Sequence, residues 1–189
     1  MRILPRAAGL LLTVVTALLL SGCIPPGSTV TPEPMPSATP VFASEEEALS
    51  AAEAAYREYL AVSDLVAQDG GKDPARFAEV VTQDWLDREI DSAKTLEESG
   101  RRQKGNSSFA SIELQQLDQN DLARVLVVTY VCFDVGQLTF VNESGADVTP
   151  IDRPSFIPLQ VTFESKGASN RSLLVAGNEP WTGEDFCSA

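Results

Sequence analysis

The spacing of the apolar residues changes once along this chain, and that change limits the folds open to it. From residue 44 to about residue 98 apolar side chains recur at helical spacing; from residue 109 onward they alternate. Ser44-Glu45-Glu46-Glu47 predicts the first helix start. Ser44 is a capping residue, Glu47 three positions on completes a capping box, and acidic residues suit a first turn. Ala48, Ala51, Ala52, Ala55, Tyr59, Val62 and Val66 mark its apolar face, and Gly70-Gly71 ends it. Asp73-Pro74 predicts the cap and first residue of a second helix carrying Phe77, Val80 and Val81. A third runs over about 84–98 with Trp85, Leu86, Ile90 and Leu96, and Gly100 stops it. Strands are expected at 109–117, 122–133, 137–141, 157–164 and 172–176, with turns at 118–121, 142–145 and 166–170. Helices followed by strands predict an α+β domain: about three helices packed on one face of a curved antiparallel sheet of five or so strands.

The first residues do not belong to that pattern. Arg2 and Arg6 precede an uncharged apolar run, Ala7 to Leu20, which ends in Leu20-Ser21-Gly22-Cys23. Fourteen residues fall short of the roughly 20 that cross a bilayer core, and suit the apolar region of a secretory leader. Leu20-Ser21-Gly22-Cys23 resembles the lipobox of bacterial lipoproteins. The resemblance implies cleavage after Gly22, a diacylglyceryl group on the Cys23 thiol, and a chain held at the extracytoplasmic face of the cell membrane through that lipid. Residues 23–43 then form a spacer with prolines at 25, 26, 32, 34, 36 and 40. In extended form, at about 3.1 Å per residue, it reaches roughly 60 Å. The expected division is leader 1–22, lipidated cysteine and linker 23–43, and folded domain 44–189.

With Cys23 carrying lipid, the cysteines remaining in an exported chain are Cys132 and Cys187, an even pair suited to a disulfide. Net charge is −13, and it falls to −15 once Arg2 and Arg6 leave with the leader. Such a surface argues against nucleic acid and against broad adsorption to anionic lipid. There is no histidine, so Ser-His-Asp and Cys-His arrangements and histidine zinc sites are excluded. No phosphate-binding glycine loop is present, and Asp69-Gly70-Gly71-Lys72-Asp73 lacks the ligand spacing of a calcium loop. No cofactor and no metal is expected.

The order of elements, the strand Val127-Val128-Thr129-Tyr130-Val131-Cys132-Phe133-Asp134, the late strand with Trp181 and the near-terminal Cys187 are similar to the NTF2-like, cone-shaped superfamily. More narrowly, they resemble small exported lipoproteins of high-GC Gram-positive bacteria. Gly177-Asn178-Glu179-Pro180 departs from the uninterrupted last strand of that pattern. The resemblance implies a pocket between helices and sheet. Tyr130 and Asp134 share one strand face with Val128 and Cys132. They are either the lining of that pocket, with Asp134 as general acid or base, or a core tyrosine and a solvated strand end. Arg101-Arg102-Gln103-Lys104 is the one basic cluster, set between Gly100 and Gly105. It is either a solvated loop or a contact for an anionic polymer, headgroup or partner through Arg101, Arg102 and Lys104. Trp85 and Trp181 are core residues or interface anchors. The expectation is a non-catalytic binding or accessory module of the envelope, partnered by the membrane through Cys23 and by an envelope protein or a second copy through the sheet. The alternative is a small-molecule carrier or an isomerase- or dehydratase-like enzyme using the cone.

Overall fold

The computed structural model of the chain describes residues 40–120, 124–167 and 169–188. The expected leader, the lipobox with Cys23 and the linker as far as residue 39 lie outside the described residues. Among those that are described, no helix is long and apolar enough to cross a membrane.

Helix α1 spans Glu45–Gln68. Ser44 Oγ accepts from the Glu47 amide at 3.2 Å, as the capping motif predicts. The Glu47 carboxylate reaches back one residue further than a capping box requires, to the Ala43 amide at 2.7 Å. The packed domain therefore begins before Ser44. Phe42 is 2% exposed, and Gln119 holds its backbone from both sides, with Phe42 N donating at 2.8 Å and its carbonyl accepting at 3.2 Å. At the other end Gly70 and Gly71 both have positive φ, and their amides close onto the carbonyls of Ala67 and Val66. A Cβ on Gly71 would stand 2.1 Å from the Ala93 carbonyl oxygen, so only glycine lets the end of α1 lie against the next long helix.

The second expected helix is a short 3-10 segment, Pro74–Glu79. Asp73 is left-handed (φ 52°) and makes no side-chain cap, because a capping residue needs extended backbone. Its carboxylate takes Arg76 Nε instead, at 3.0 Å. Helix α2 follows over Gln83–Glu98.

Among the described residues six strands form two antiparallel sheets: β1 (Arg102–Lys104), β2 (Ser108–Asp118), β3 (Leu126–Asp134), β4 (Thr139–Val141), β5 (Phe156–Ser165) and β6 (Leu173–Pro180). The main sheet has four strands in the order β2-β3-β5-β6; β1 and β4 pair separately as a two-stranded sheet. The architecture is thus α+β, with two sheets where one of about five strands was expected. Strand β6 runs through Gly177 to Pro180. A register shift beside Thr162 and Phe163 absorbs the irregular residues, so the interruption read in the sequence is a bulge. Two shifts in β2 explain a second irregularity. The apolar residues Phe109, Ile112, Leu114 and Leu117 do not alternate strictly, and shifts between Phe109 and Ser111 and between Leu114 and Gln116 return each to the core face. On β3 that face carries Val127, Thr129 and Val131, all fully buried. They meet Tyr56 and Tyr59 of α1, Phe77 and Phe163 in one core. At the exposed edge of β6, Val175 bonds Val80 O and Thr82 N, so the segment before α2 covers part of that edge.

Candidate functional site

Asp64 stands on α1 four residues after Leu60, one turn along the buried stripe, and is 6% exposed. Its Oδ1 accepts from Gln103 Nε2 and from Ser107 Oγ, both at 2.6 Å, and its Oδ2 from the Ser107 amide at 2.8 Å. One turn on, Gln68 Nε2 donates to the Gly105 carbonyl and to Asn106 Oδ1, both at 2.9 Å. Side chains of α1 therefore clamp the connection between β1 and β2. A carboxylate so fully used as an acceptor is a structural clamp and is poorly placed to move protons.

Beside the clamp opens a cleft of about 460 Å³ between α1 and the start of β2. Leu60, Ala61, Leu65 and Phe109 give it an apolar floor, and Asn106 and Ser108 a polar rim. Leu65 is 52% exposed there, a large apolar side chain left in the open. The Arg57 guanidinium lies 4.6 Å over the Phe109 ring and pairs with Glu53 at 3.2 Å.

On the other side of α1 lies a second polar group. Trp85 and Glu89 are one turn apart on α2, and Glu89 Oε1 accepts from both Tyr59 OH (2.9 Å) and Trp85 Nε1 (2.8 Å). Asn178 Nδ2 of β6 donates to the same phenol at 3.1 Å, and Tyr56 stacks on Tyr59 with ring centroids 5.8 Å apart. Burial pushes the Glu89 carboxyl above its ordinary range, against the pull of its two hydrogen bonds. Burial, and then the charge of Glu89, raise the Tyr56 and Tyr59 phenols. Tyr56 OH and Asn178 Oδ1 are buried without a hydrogen-bond partner among the described residues. Between α1 and α2 a cavity of about 110 Å³ reaches Glu89, with Ser63, Ser92, Val66, Phe77 and Leu96 around it.

The residues singled out from the sequence lie elsewhere. Tyr130 and Asp134 stand on the sheet face turned away from the helices, so they do not line a space between helices and sheet. The physical reason is parity: the helix-facing positions of β3 are the odd-numbered ones, fully buried at 127, 129 and 131. Tyr130 packs instead on Trp181 (4.8 Å between centroids) and Phe186 (5.3 Å). Asp134 closes the turn after β3 by accepting from the Gly136 amide at 2.8 Å. Cys132, on the same outer face, meets Cys187 with 5.4 Å between Cα atoms, a disulfide-capable pair. Arg102 and Lys104 are not in a loop but in β1, opposite Val141 and Thr139, with Gln103 between them turned inward to Asp64. Arg101, Arg102 and Lys104 are exposed, and Arg101 and Arg102 border an open depression of about 370 Å³ together with Lys72, Glu97 and Glu143. Among the described residues no group of three or more acidic or cysteine side chains could hold a metal ion. Asp64 is buried with Gln103 against it, and the half-buried Glu89 meets the buried phenol of Tyr59. A signal for the two acids is present in the sequence: each stands one helical turn from a large apolar residue, Leu60 or Trp85.

No family model matches the chain, and no curated protein sequence does. Among solved structures the chain is similar to the intermembrane space region of the chloroplast protein ARC6, at 11% identity and a TM-score of 0.47, over 71% of this chain and 97% of that one. It is also similar to a de novo designed β-sheet protein solved by NMR, at 15% identity and a TM-score of 0.30, over 75% of this chain and 96% of that one.

Proposed function

We propose that the protein is an envelope lipoprotein, anchored through lipid on Cys23 at the extracytoplasmic face of the cell membrane, whose domain is a non-catalytic binding or accessory module of NTF2-like descent. The observation that carries the binding part is the cleft beside α1. It is concave, has an apolar floor with Leu65 exposed in it, and the acid next to it is consumed by the clamp on Ser107 and Gln103. That combination favours holding a partner over transforming one. The NTF2-like reading is supported by a long helix laid across one face of an antiparallel sheet, and the anchor by the lipobox and the apolar run before it.

Two experiments test the two parts. Cys23→Ala should abolish lipid labelling and leave unprocessed or shed protein; full processing with unchanged membrane retention refutes the anchor. A photocrosslinking residue at Leu65, used in the intact cell, should give a discrete adduct with an envelope component, and Ala61→Arg should remove it. Failure to crosslink, or an adduct indifferent to Ala61→Arg, refutes the cleft as the docking site.

A further inference from the structure

The cavity between α1 and α2 is separate from that cleft and has a different chemistry. Among the described residues Glu89 is the single charged group of its lining. The nearest cation in sequence, Arg88, does not neutralise it: that guanidinium pairs with Glu179 at 2.8 Å and lies 4.7 Å over the Trp85 ring. Both hydrogen bonds that Glu89 receives from protein arrive at one oxygen, Oε1. The remaining polar groups of the lining are the hydroxyls of Ser63 and Ser92, and the rest is apolar, led by Val66, Phe77 and Leu96.

We propose that this cavity binds a primary alkylammonium group, with the Glu89 carboxylate as its counter-ion and the Ser63 and Ser92 hydroxyls as its further acceptors. An ammonium has three N–H donors and no acceptor, which suits one carboxylate and two hydroxyls. The carboxylate repels an anion, and no cation in the lining receives one. A divalent metal finds one carboxylate where several oxygens are needed. A wholly apolar guest would cover the Glu89 charge without a counter-ion and leave its second oxygen with no donor, which is costly. The apolar walls, Val66, Phe77 and Leu96 among them, take a short methylene chain. About 110 Å³ suits a chain of a few methylenes. The same chemistry is offered by a free alkylamine and by the end of a lysine side chain on a peptide.

The test is calorimetric titration of the full-length protein with n-butylammonium, with n-butanol as the neutral isostere. Saturable n-butylammonium binding is expected, at least about tenfold tighter than n-butanol, since a hydrogen bond to a charged group carries that factor or more. Glu89→Gln keeps an acceptor for Tyr59 and Trp85 and should erase the preference. Ser63→Leu fills the cavity and should abolish binding with the carboxylate intact. Affinity should also fall as pH is lowered and Glu89 takes a proton. The titratable groups packed around it do not compete in that range: Tyr56 and Tyr59 stay neutral because burial raises them, and Arg88 is held by Glu179. A lysine peptide binding more tightly than n-butylammonium, with its acetylated form inactive, assigns the group to a protein ligand; the reverse order assigns it to a free amine. Equal binding of amine and alcohol, unchanged amine binding by Glu89→Gln, or no binding at millimolar amine overturns the proposal.

Discussion

Replacing Asp64 with alanine should be among the most damaging single changes in this domain, and the structure says by how much. The carboxylate is 6% exposed and accepts from Gln103 Nε2, the Ser107 amide and Ser107 Oγ. Truncation removes the acceptor of three donors, each costing about 1–3 kcal/mol when left unmade in the interior, although Gln103 Nε2 keeps a longer bond to the Gly105 carbonyl at 3.3 Å. Ser107 is half-buried, so water recovers part of its share. The net expectation is a loss of about 3–5 kcal/mol, a large fraction of the roughly 5–15 kcal/mol typical of a domain. With a urea m-value of roughly 2 kcal/mol/M, the midpoint should drop by about 1.5–2.5 M. Asp64→Asn keeps one acceptor oxygen and should fall between, near about 1–2 kcal/mol. Hydrogen exchange gives a local reading as well: the Ser107 amide should lose its protection while that of Val161 in the main sheet keeps it. A midpoint shift under about 0.5 M for Asp64→Ala, or an asparagine variant weaker than the alanine one, would refute the view that α1 holds the β1–β2 connection through this side chain.

Oxidised Cys132 and Cys187 close a loop of 55 residues, worth about 4 kcal/mol by the chain-entropy argument. Intact mass should fall by about 2 Da relative to the reduced chain, and two freely alkylated thiols in unreduced protein would contradict it. Reduction should also change the fluorescence of Trp181, which packs on Tyr130 in the same tail. Burial raises Glu89, so the native state binds its proton more readily than the unfolded chain; stability falls as pH rises from the unfolded value through the folded one. Glu89→Gln should flatten that slope and cost nothing above it, and urea unfolding at a series of pH values from the ordinary carboxylate range upward measures both effects. Neutralising Arg101, Arg102 and Lys104 together should leave the fold intact, since all three are exposed, and weaken any envelope association in a salt-dependent way. Unchanged association at low ionic strength would leave them as surface charges.

The elements were legible because each depends on neighbours in sequence. Ser44, Glu47, Gly70 and Gly71 act within one or two turns of α1, and the alternating run through Val127, Thr129 and Val131 marks a strand wherever it pairs. Asp73-Pro74 misled for a local reason as well: its backbone is left-handed, which no capping dipeptide announces. What escaped sequence reasoning depends on contacts between residues far apart along the chain. The main sheet and its small companion differ by whether β1 finds β4, separated by the whole of β2 and β3. Tyr130 and Asp134 share a face by strand periodicity alone, but which face meets α1 was decided by packing, and it was the other one. Asp64 became a clamp only because the fold carries Gln103 and Ser107 to it from 39 and 43 residues away. Glu89 became a half-buried, hydrogen-bonded carboxyl only where Tyr59 of α1, itself held by Asn178 of β6, meets α2. Short-range order follows from backbone propensity and capping, which are properties of a segment; a polar group's role in the interior follows from what is brought against it, and only the tertiary structure decides that.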